Sequence, residues 1–188
     1  PASRDCGIFF PKWMGMGANP ARQEIVDCAR KMATSGLSPG RSGNISVRNA
    51  NGMLITPSAL AYDTMKPDDI VRLDESGNRV SGQRRPSSEW PLHAAIYRNF
   101  ADATAVVHSH SKFATTLACL GRSIPAFHYM VAMAGGNSIR CSEYATFGSD
   151  RLAELAVQAL QDRKACLLGN HGQIAWHTSL VTAYELAW

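Results

Sequence analysis

Apolar residues recur along this chain with two periods, and the switches between them mark out its elements. Ile25, Cys28, Ala29, Met32 and Ala33 lie at helical spacing. Asn19-Pro20 supplies a cap and a first-turn proline before that helix, and Gly36 is placed to stop it. ISVR (45–48) and MLIT (53–56) read as strands, with Asn51-Gly52 between them as a tight hairpin turn. DIVRLD (69–74) is a further strand, ended by Glu75-Ser76-Gly77-Asn78. Ser87-Ser88 is expected to cap a helix running to about Phe100, with Pro91 tolerated in its first turn. ATAVVHSH (103–110) is strand-like and KFATTLACL (112–120) helical, and HYMVAMAGGNS (128–138) is apolar but broken by Gly135-Gly136. Leu152, Leu155, Ala156, Ala159 and Leu160 form a helical stripe behind a Ser149 cap. KACLL (164–168) and QIAW (173–176) are strands around the turn Gly169-Asn170-His171-Gly172, and a last helix starts near Leu180. Helices alternate with strands, yet hairpin signals are also present. The pattern predicts an α/β domain with a mixed sheet covered by helices rather than a purely parallel one.

Composition narrows this little. At 188 residues, with 45% apolar and 18% charged, the chain fits one ordinary globular domain. No apolar run approaches the roughly 20 residues a bilayer span needs, and the first twenty residues hold no signal-peptide core. A net charge of +4 is scattered, with Arg84-Arg85 the main cluster, which argues against a nucleic-acid partner. The five cysteines show no CxxC spacing; Cys28, Cys119 and Cys166 sit in apolar segments and read as small buried thiols. A reduced, cytoplasmic setting is expected. The chain begins at Pro1 rather than Met and ends within a helical pattern, so it is expected to be a piece of a longer one.

The chemistry concentrates in a few places. On a strand, positions i and i+2 face the same way, so His108 and His110 project together. Such a pair alone is as often polar surface as a metal site. His171, held in a turn between glycines, is a third imidazole, and three neutral imidazoles leave a tetrahedral zinc one open position. His128 and His177 are weaker candidates, and His93, inside a helix, reads as structural. Glu89 follows two serines at a helix start: it is either a carboxylate favoured by the helix dipole or a general base beside the metal. Ser42-Gly43-Asn44, Thr56-Pro57-Ser58 and Ser87-Ser88 lie at element ends and supply the hydroxyls and N–H groups that phosphate sites use. Each alone is more often a turn or a cap; together they suit an anion.

SGNISVR, GMLITPSA, PSSEWPLHAAIYR, AVVHSH, SIPAFHYMVAMAGGNSI, YATFGS and LLGNHGQIA follow one another in an order that resembles class II aldolases of the aldolase/adducin family. The likeness covers residues 20–188 and leaves 1–19 as an unmatched leader. SSEW and HYMVAMAGGNSI resemble the L-fuculose-1-phosphate branch. The resemblance implies a three-layer α/β/α fold on a largely antiparallel sheet, one Zn2+ per chain, and a homotetramer with sites between subunits. It places His108, His110 and His171 as zinc ligands and Glu89 as catalytic acid/base. Gly43, Asn44, Ser58, Ser87 and Ser88 fall on phosphate-binding positions, and Ala59 stands where relatives carry glycine in that loop. Tyr129 matches a proton donor reaching a neighbouring subunit's site, and Phe147 a residue lining that intersubunit pocket. The family's last helix and mobile C-terminal tail, which carries another active-site tyrosine, fall beyond Trp188.

The activity implied is reversible cleavage of a ketose 1-phosphate, such as L-fuculose 1-phosphate, to dihydroxyacetone phosphate and an aldehyde such as lactaldehyde. Zinc would stabilise the enediolate as a Lewis acid. A sugar-phosphate 4-epimerase of the same family (L-ribulose-5-phosphate type) is the nearest alternative, but those enzymes tend to carry Asp where Glu89 stands; another sugar-phosphate lyase of the family, a dehydratase or decarboxylase, is a further one. A non-catalytic adducin-like scaffold predicts missing ligands, whereas all three histidines and the glutamate are present.

Overall fold

The computed structural model describes residues 20–188; the expected leader, the Asn19 cap and Cys6 lie outside them. The elements are α1 (Pro20–Thr34), β1 (Asn44–Asn49), β2 (Gly52–Ile55), β3 (Val71–Asp74), β4 (Arg79–Ser81), α2 (Trp90–Asn99), β5 (Ala105–Ser109), α3 (Lys112–Cys119), α4 (Asp150–Ala159), β6 (Ala165–Leu168), β7 (Gly172–His177) and α5 (Leu180–Ala187). The strands form one seven-stranded sheet in the order β4-β3-β2-β1-β5-β7-β6, and every pairing is antiparallel. Among the described residues no helix is long and apolar enough to cross a membrane.

Period-two alternation splits the core in two. Met53, Ile55, Val106, Ile174 and Trp176 point toward α2 and α4. Their neighbours Leu54, Ala105, Val107 and Ala175 point toward α1 and α5. The fold is therefore three-layered α/β/α, as the family resemblance implies. Helix α3 covers β6 through Ala114 and Ala118. Cys119, one residue further round that helix, is exposed, so it is not the buried thiol its apolar segment suggests; Cys166 is buried as expected.

Three local expectations shift. The hairpin turn is Ala50-Asn51, because Gly52 already pairs with Asn49. Gly52 is needed on the strand itself: a Cβ there would stand 2.1 Å from the Leu73 carbonyl oxygen of β3. Asp69 belongs to a short 3-10 turn that Pro67 opens, and its carboxylate accepts the Lys66 N–H at 2.9 Å, so β3 starts only at Val71. Helix α2 starts at Trp90 with Glu89 in the capping position and no side-chain cap. Pro86 forms a bridge with Pro57, and the Ser87 N–H donates to the Thr56 carbonyl, which keeps this segment extended and delays the helix. Ser149 caps α4 as its sequence predicts, accepting the Leu152 N–H.

Candidate metal centre and its cleft

His108 ends the apolar run of β5 on the face that looks toward α2, directly opposite Asn44 of β1. It is fully buried. Its Nδ1 lies 2.8 Å from the Gln173 carbonyl of β7; a carbonyl only accepts, so Nδ1 carries a hydrogen and Nε2 is the nitrogen turned toward the cluster. That nitrogen is 3.0 Å from His110 Nε2 and 3.2 Å from Glu89 Oε2. His110 follows the strand end, and His171 sits in the turn between β6 and β7 with Nε2 3.2 Å from Glu89 Oε1. The turn allows no larger residue at its exit: a Cβ on Gly172 would stand 2.6 Å from the Ser109 carbonyl oxygen and 3.0 Å from the His110 ring. Glu89 arrives from the start of α2.

These four residues offer ligand atoms that all lie within 4.8 Å of one another. Nitrogens bound to one tetrahedral zinc stand about 3.3 Å apart, close to the spacings found. The electrostatics also favour a cation. Burial opposes ionisation of Glu89, yet the charge and hydrogen bond of His108 hold its carboxyl well below the usual range. Burial likewise opposes charge on His108, but the Glu89 carboxylate raises its pKa above the ordinary value. Burial, followed by repulsion from His108, brings His110 and His171 down to about 4, so both are neutral lone-pair donors at pH 7. Among the described residues Glu89 Oε1 and His171 Nδ1 are buried without a hydrogen-bond partner. This donor set fits a divalent metal.

The cluster forms the floor of a cleft of about 290 Å³. One wall holds Gly43, Asn44, Ser58, Ala59, Ser87 and Ser88. Two backbone bonds, Ser58 N–H to Arg85 and Ser87 N–H to Thr56, fasten its loops together. Among the described residues the Ser58 and Ser88 hydroxyls have no protein partner, whereas the Ser87 hydroxyl accepts the Glu89 N–H at 3.3 Å. Ala59 takes φ 59°, the left-handed region that favours glycine. Phe147 stands on the rim, 63% exposed. Tyr129 does not line this cleft; it is 79% exposed beside a separate groove.

Sequence reasoning passed over Arg41, Tyr144 and Asn170, which also line the cleft. Arg41 Nη1 donates to the Ala59 carbonyl at 3.2 Å; a lone cation just before Ser42-Gly43-Asn44 was the available signal. His93, read as structural, lies fully buried beside the site. His128 caps its own 3-10 turn by accepting the Met130 N–H, and His177 bonds to Thr178; neither joins the cluster.

Comparison with known proteins agrees with this geometry. The chain is 52% identical over 166 residues to a 5-methylthioribulose-1-phosphate/5-deoxyribulose-1-phosphate aldolase of Rhodospirillum rubrum, covering 88% of this chain and 75% of that protein. It is 46% identical over 172 residues to the L-fuculose phosphate aldolase of Escherichia coli K12, covering 92% and 80%. A solved structure of an L-fuculose 1-phosphate aldolase superposes with a TM-score of 0.88 at 40% identity, covering 92% of this chain and 82% of that one. Residues 23–188 match the family described as Class II Aldolase and Adducin N-terminal domain. With its fold, its His/Glu cluster and these relatives in agreement, the chain belongs to the class II aldolase/adducin family and, within it, to the aldolases.

Proposed function

We propose that the chain is a zinc-dependent aldolase that reversibly cleaves a ketose 1-phosphate into dihydroxyacetone phosphate and a short aldehyde. The observation that carries the reading is the cluster of three imidazoles and one carboxylate at the floor of a cleft walled by hydroxyls, small residues and Arg41. His108, His110 and His171 hold the metal, and three neutral histidines suit zinc with a position left for substrate. Zinc bound there supplies Lewis-acid chemistry that polarises the ketone and acidifies the adjacent C–H.

The protein's own groups do the rest. Glu89 is ionised, with Oε2 held by Asn44 Nδ2 at 2.9 Å and Oε1 accepting no hydrogen bond among the described residues. Oε1 takes the proton from the carbon beside the ketone in condensation and returns it in cleavage. The Ser58 and Ser88 hydroxyls, Arg41 and the backbone around Gly43 and Ala59 hold the phosphate, which fixes the reacting carbon near Glu89. The active form is a homotetramer in which Tyr129 donates a proton at a neighbour's site and Phe147 lines the pocket between subunits. The exposed apolar side chains Phe113, Phe127, Tyr129 and Met133 support it, since a subunit contact would cover them. Light scattering should then give four chains per particle.

L-fuculose 1-phosphate is the substrate suggested by the SSEW and HYMVAMAGGNSI blocks. The higher identity to the Rhodospirillum rubrum protein supports a second reading, a five-carbon 1-phosphate ending in a methyl or methylthio group. Cleavage between C3 and C4 releases dihydroxyacetone phosphate in both cases, with lactaldehyde in the first and acetaldehyde from 5-deoxyribulose 1-phosphate in the second. Product analysis with both substrates separates them. Metal analysis should find about one zinc per chain, and chelation should abolish cleavage. A metal-independent activity, or epimerised sugar phosphate as the sole product, overturns the proposal.

A further inference from the structure

The sheet face beneath α2 carries a second polar feature, which the metal chemistry above does not use. From Glu89 a line of side chains runs away from the cleft through Asn44, His93, Ser46 and Tyr97, none more than 8% exposed. Asn44 Nδ2 donates to Glu89 Oε2 at 2.9 Å. His93 Nε2 lies 2.5 Å from Asn44 Oδ1 and His93 Nδ1 2.7 Å from Ser46 Oγ. Ser46 Oγ is in turn 2.7 Å from the Tyr97 hydroxyl. Arg48 closes the far end, its guanidinium 4.8 Å from the Tyr97 ring centre and bonded to the Tyr97, Phe100 and Ala103 carbonyls.

The carboxylate sets the direction of every bond. It only accepts, so Asn44 turns its NH2 to Glu89 and its oxygen to His93. An amide oxygen also only accepts, so His93 carries its hydrogen on Nε2, and Nδ1 accepts from Ser46. With its one hydrogen so used, Ser46 accepts from Tyr97. All four bonds run in one sense, from Tyr97 to Glu89.

We infer that His93 is a positioning residue for Glu89, acting through Asn44. The inference rests on the reading of Glu89 as acid/base. The two ends of an amide have nearly the same shape, and a flipped Asn44 would set its oxygen against the carboxylate. The His93 N–H adds to this, because a flipped amide would also face it with NH2 unless the ring moved its hydrogen to Nδ1 and Ser46 and Tyr97 reversed their bonds as well. His93 therefore fixes Asn44, and Asn44 engages Oε2 and leaves Oε1 for the substrate proton. The arrangement is rigid because regular elements deliver it: Glu89 at the cap of α2 and His93 and Tyr97 within it come every fourth residue, and Asn44 and Ser46 every second residue along β1.

The first test needs no variant. Nitrogen-15 NMR of the intact protein labelled at histidine, metal-free and zinc-loaded, should show His93 as the neutral Nε2–H tautomer; the Nδ1–H form overturns the inference whatever Glu89 does. In turnover, His93→Leu should lower kcat about 10–100-fold, with KM for the sugar phosphate and zinc content little changed. His93→Gln, whose amide can place an N–H toward Asn44, should recover most of that loss. An effect on KM alone, or equal loss in both variants, overturns it. In a Glu89→Gln background His93→Leu should have no further effect, and a full additional loss overturns it. If Glu89→Gln itself keeps its turnover, the Glu89 reading fails separately while the tautomer still stands. Should His93→Leu not fold, Ser46→Ala takes its place: kcat should fall about 3–10-fold, scaled down from the loss of a direct outer-shell partner, and an unchanged kcat counts against the relay.

Discussion

The two faces of β1 and β5 do different work. Toward α1 and α5 they present Ile45, Ala105 and Val107 to Ile25, Met32 and Leu180, an apolar contact that excludes water. Toward α2 the intervening residues are Val106 and, beside it, Asn44, Ser46 and His108, which are buried as completely but polar and joined to Glu89, His93 and Tyr97. Alternation along the same strands thus separates stability from chemistry. The apolar side contributes folding energy through area removed from water. The polar side keeps groups that burial disfavours, held by partners that leave them one orientation.

Variants should keep these roles apart. The largest effect is expected at Glu89→Gln, with kcat falling 10²–10⁴-fold, about the range for a lost acid/base group. Bound metal and melting temperature should hold; unchanged turnover would remove Glu89 from the proton step. On the other face Ile25→Ala should cost about 3 kcal/mol in urea denaturation, with kcat within about threefold, since no reacting group moves. A large fall in kcat there would break the division of labour.

Acid should act on the polar face. Burial brings His93 down to about 3, against an ordinary value of 6.5. Between those values the unfolded chain takes up a proton that the folded one refuses, so stability is present above pH 6.5 and lost as pH falls. One such group gives a slope of about 1.4 kcal/mol per pH unit. His110, His171 and Glu89 are also lowered and act in the same sense; His108, raised, acts against them. Melting of the metal-free protein from pH 7.5 to 4.5 should show the decline, with a shallower one in His93→Gln. The smallest effect is expected at Ala59→Gly, which relieves a left-handed alanine: at most about 1 kcal/mol of added stability, the gain offset by a freer unfolded chain. Isothermal titration with inorganic phosphate should show whether the freed backbone also binds the anion more tightly.

Much of this was legible because it is periodic. The apolar run before His108, the glycine-bounded His171 turn and the Ser149 cap each follow from local spacing, and the structure bears out the elements they predict. What escaped depends on contacts between distant segments. Asn51-Gly52 suggests a turn by itself, but Gly52 is required by Leu73 on another strand. Ser87-Ser88 looks like a cap until Thr56 and Pro57 hold that segment extended. Along NISVRN nothing local says what lies over the polar positions; α2 covers Asn44 and Ser46. The chain writes each half of that relay in a regular period, but only folding places one half opposite the other.

Gly172 carries a consequence for how this enzyme can vary. Surface turns are where chains usually absorb substitutions and insertions. This one cannot, because the space a methyl group would fill belongs to the Ser109 carbonyl and the His110 ring. A library randomised over residues 169–172 and selected for turnover should therefore return glycine at 172 almost without exception, and also at 169, where a Cβ would stand 2.6 Å from the Ser142 carbonyl oxygen. Diversity in such a library would mark the exposed part of the loop, so tolerance to mutation could locate the metal floor without any ligand being soaked in.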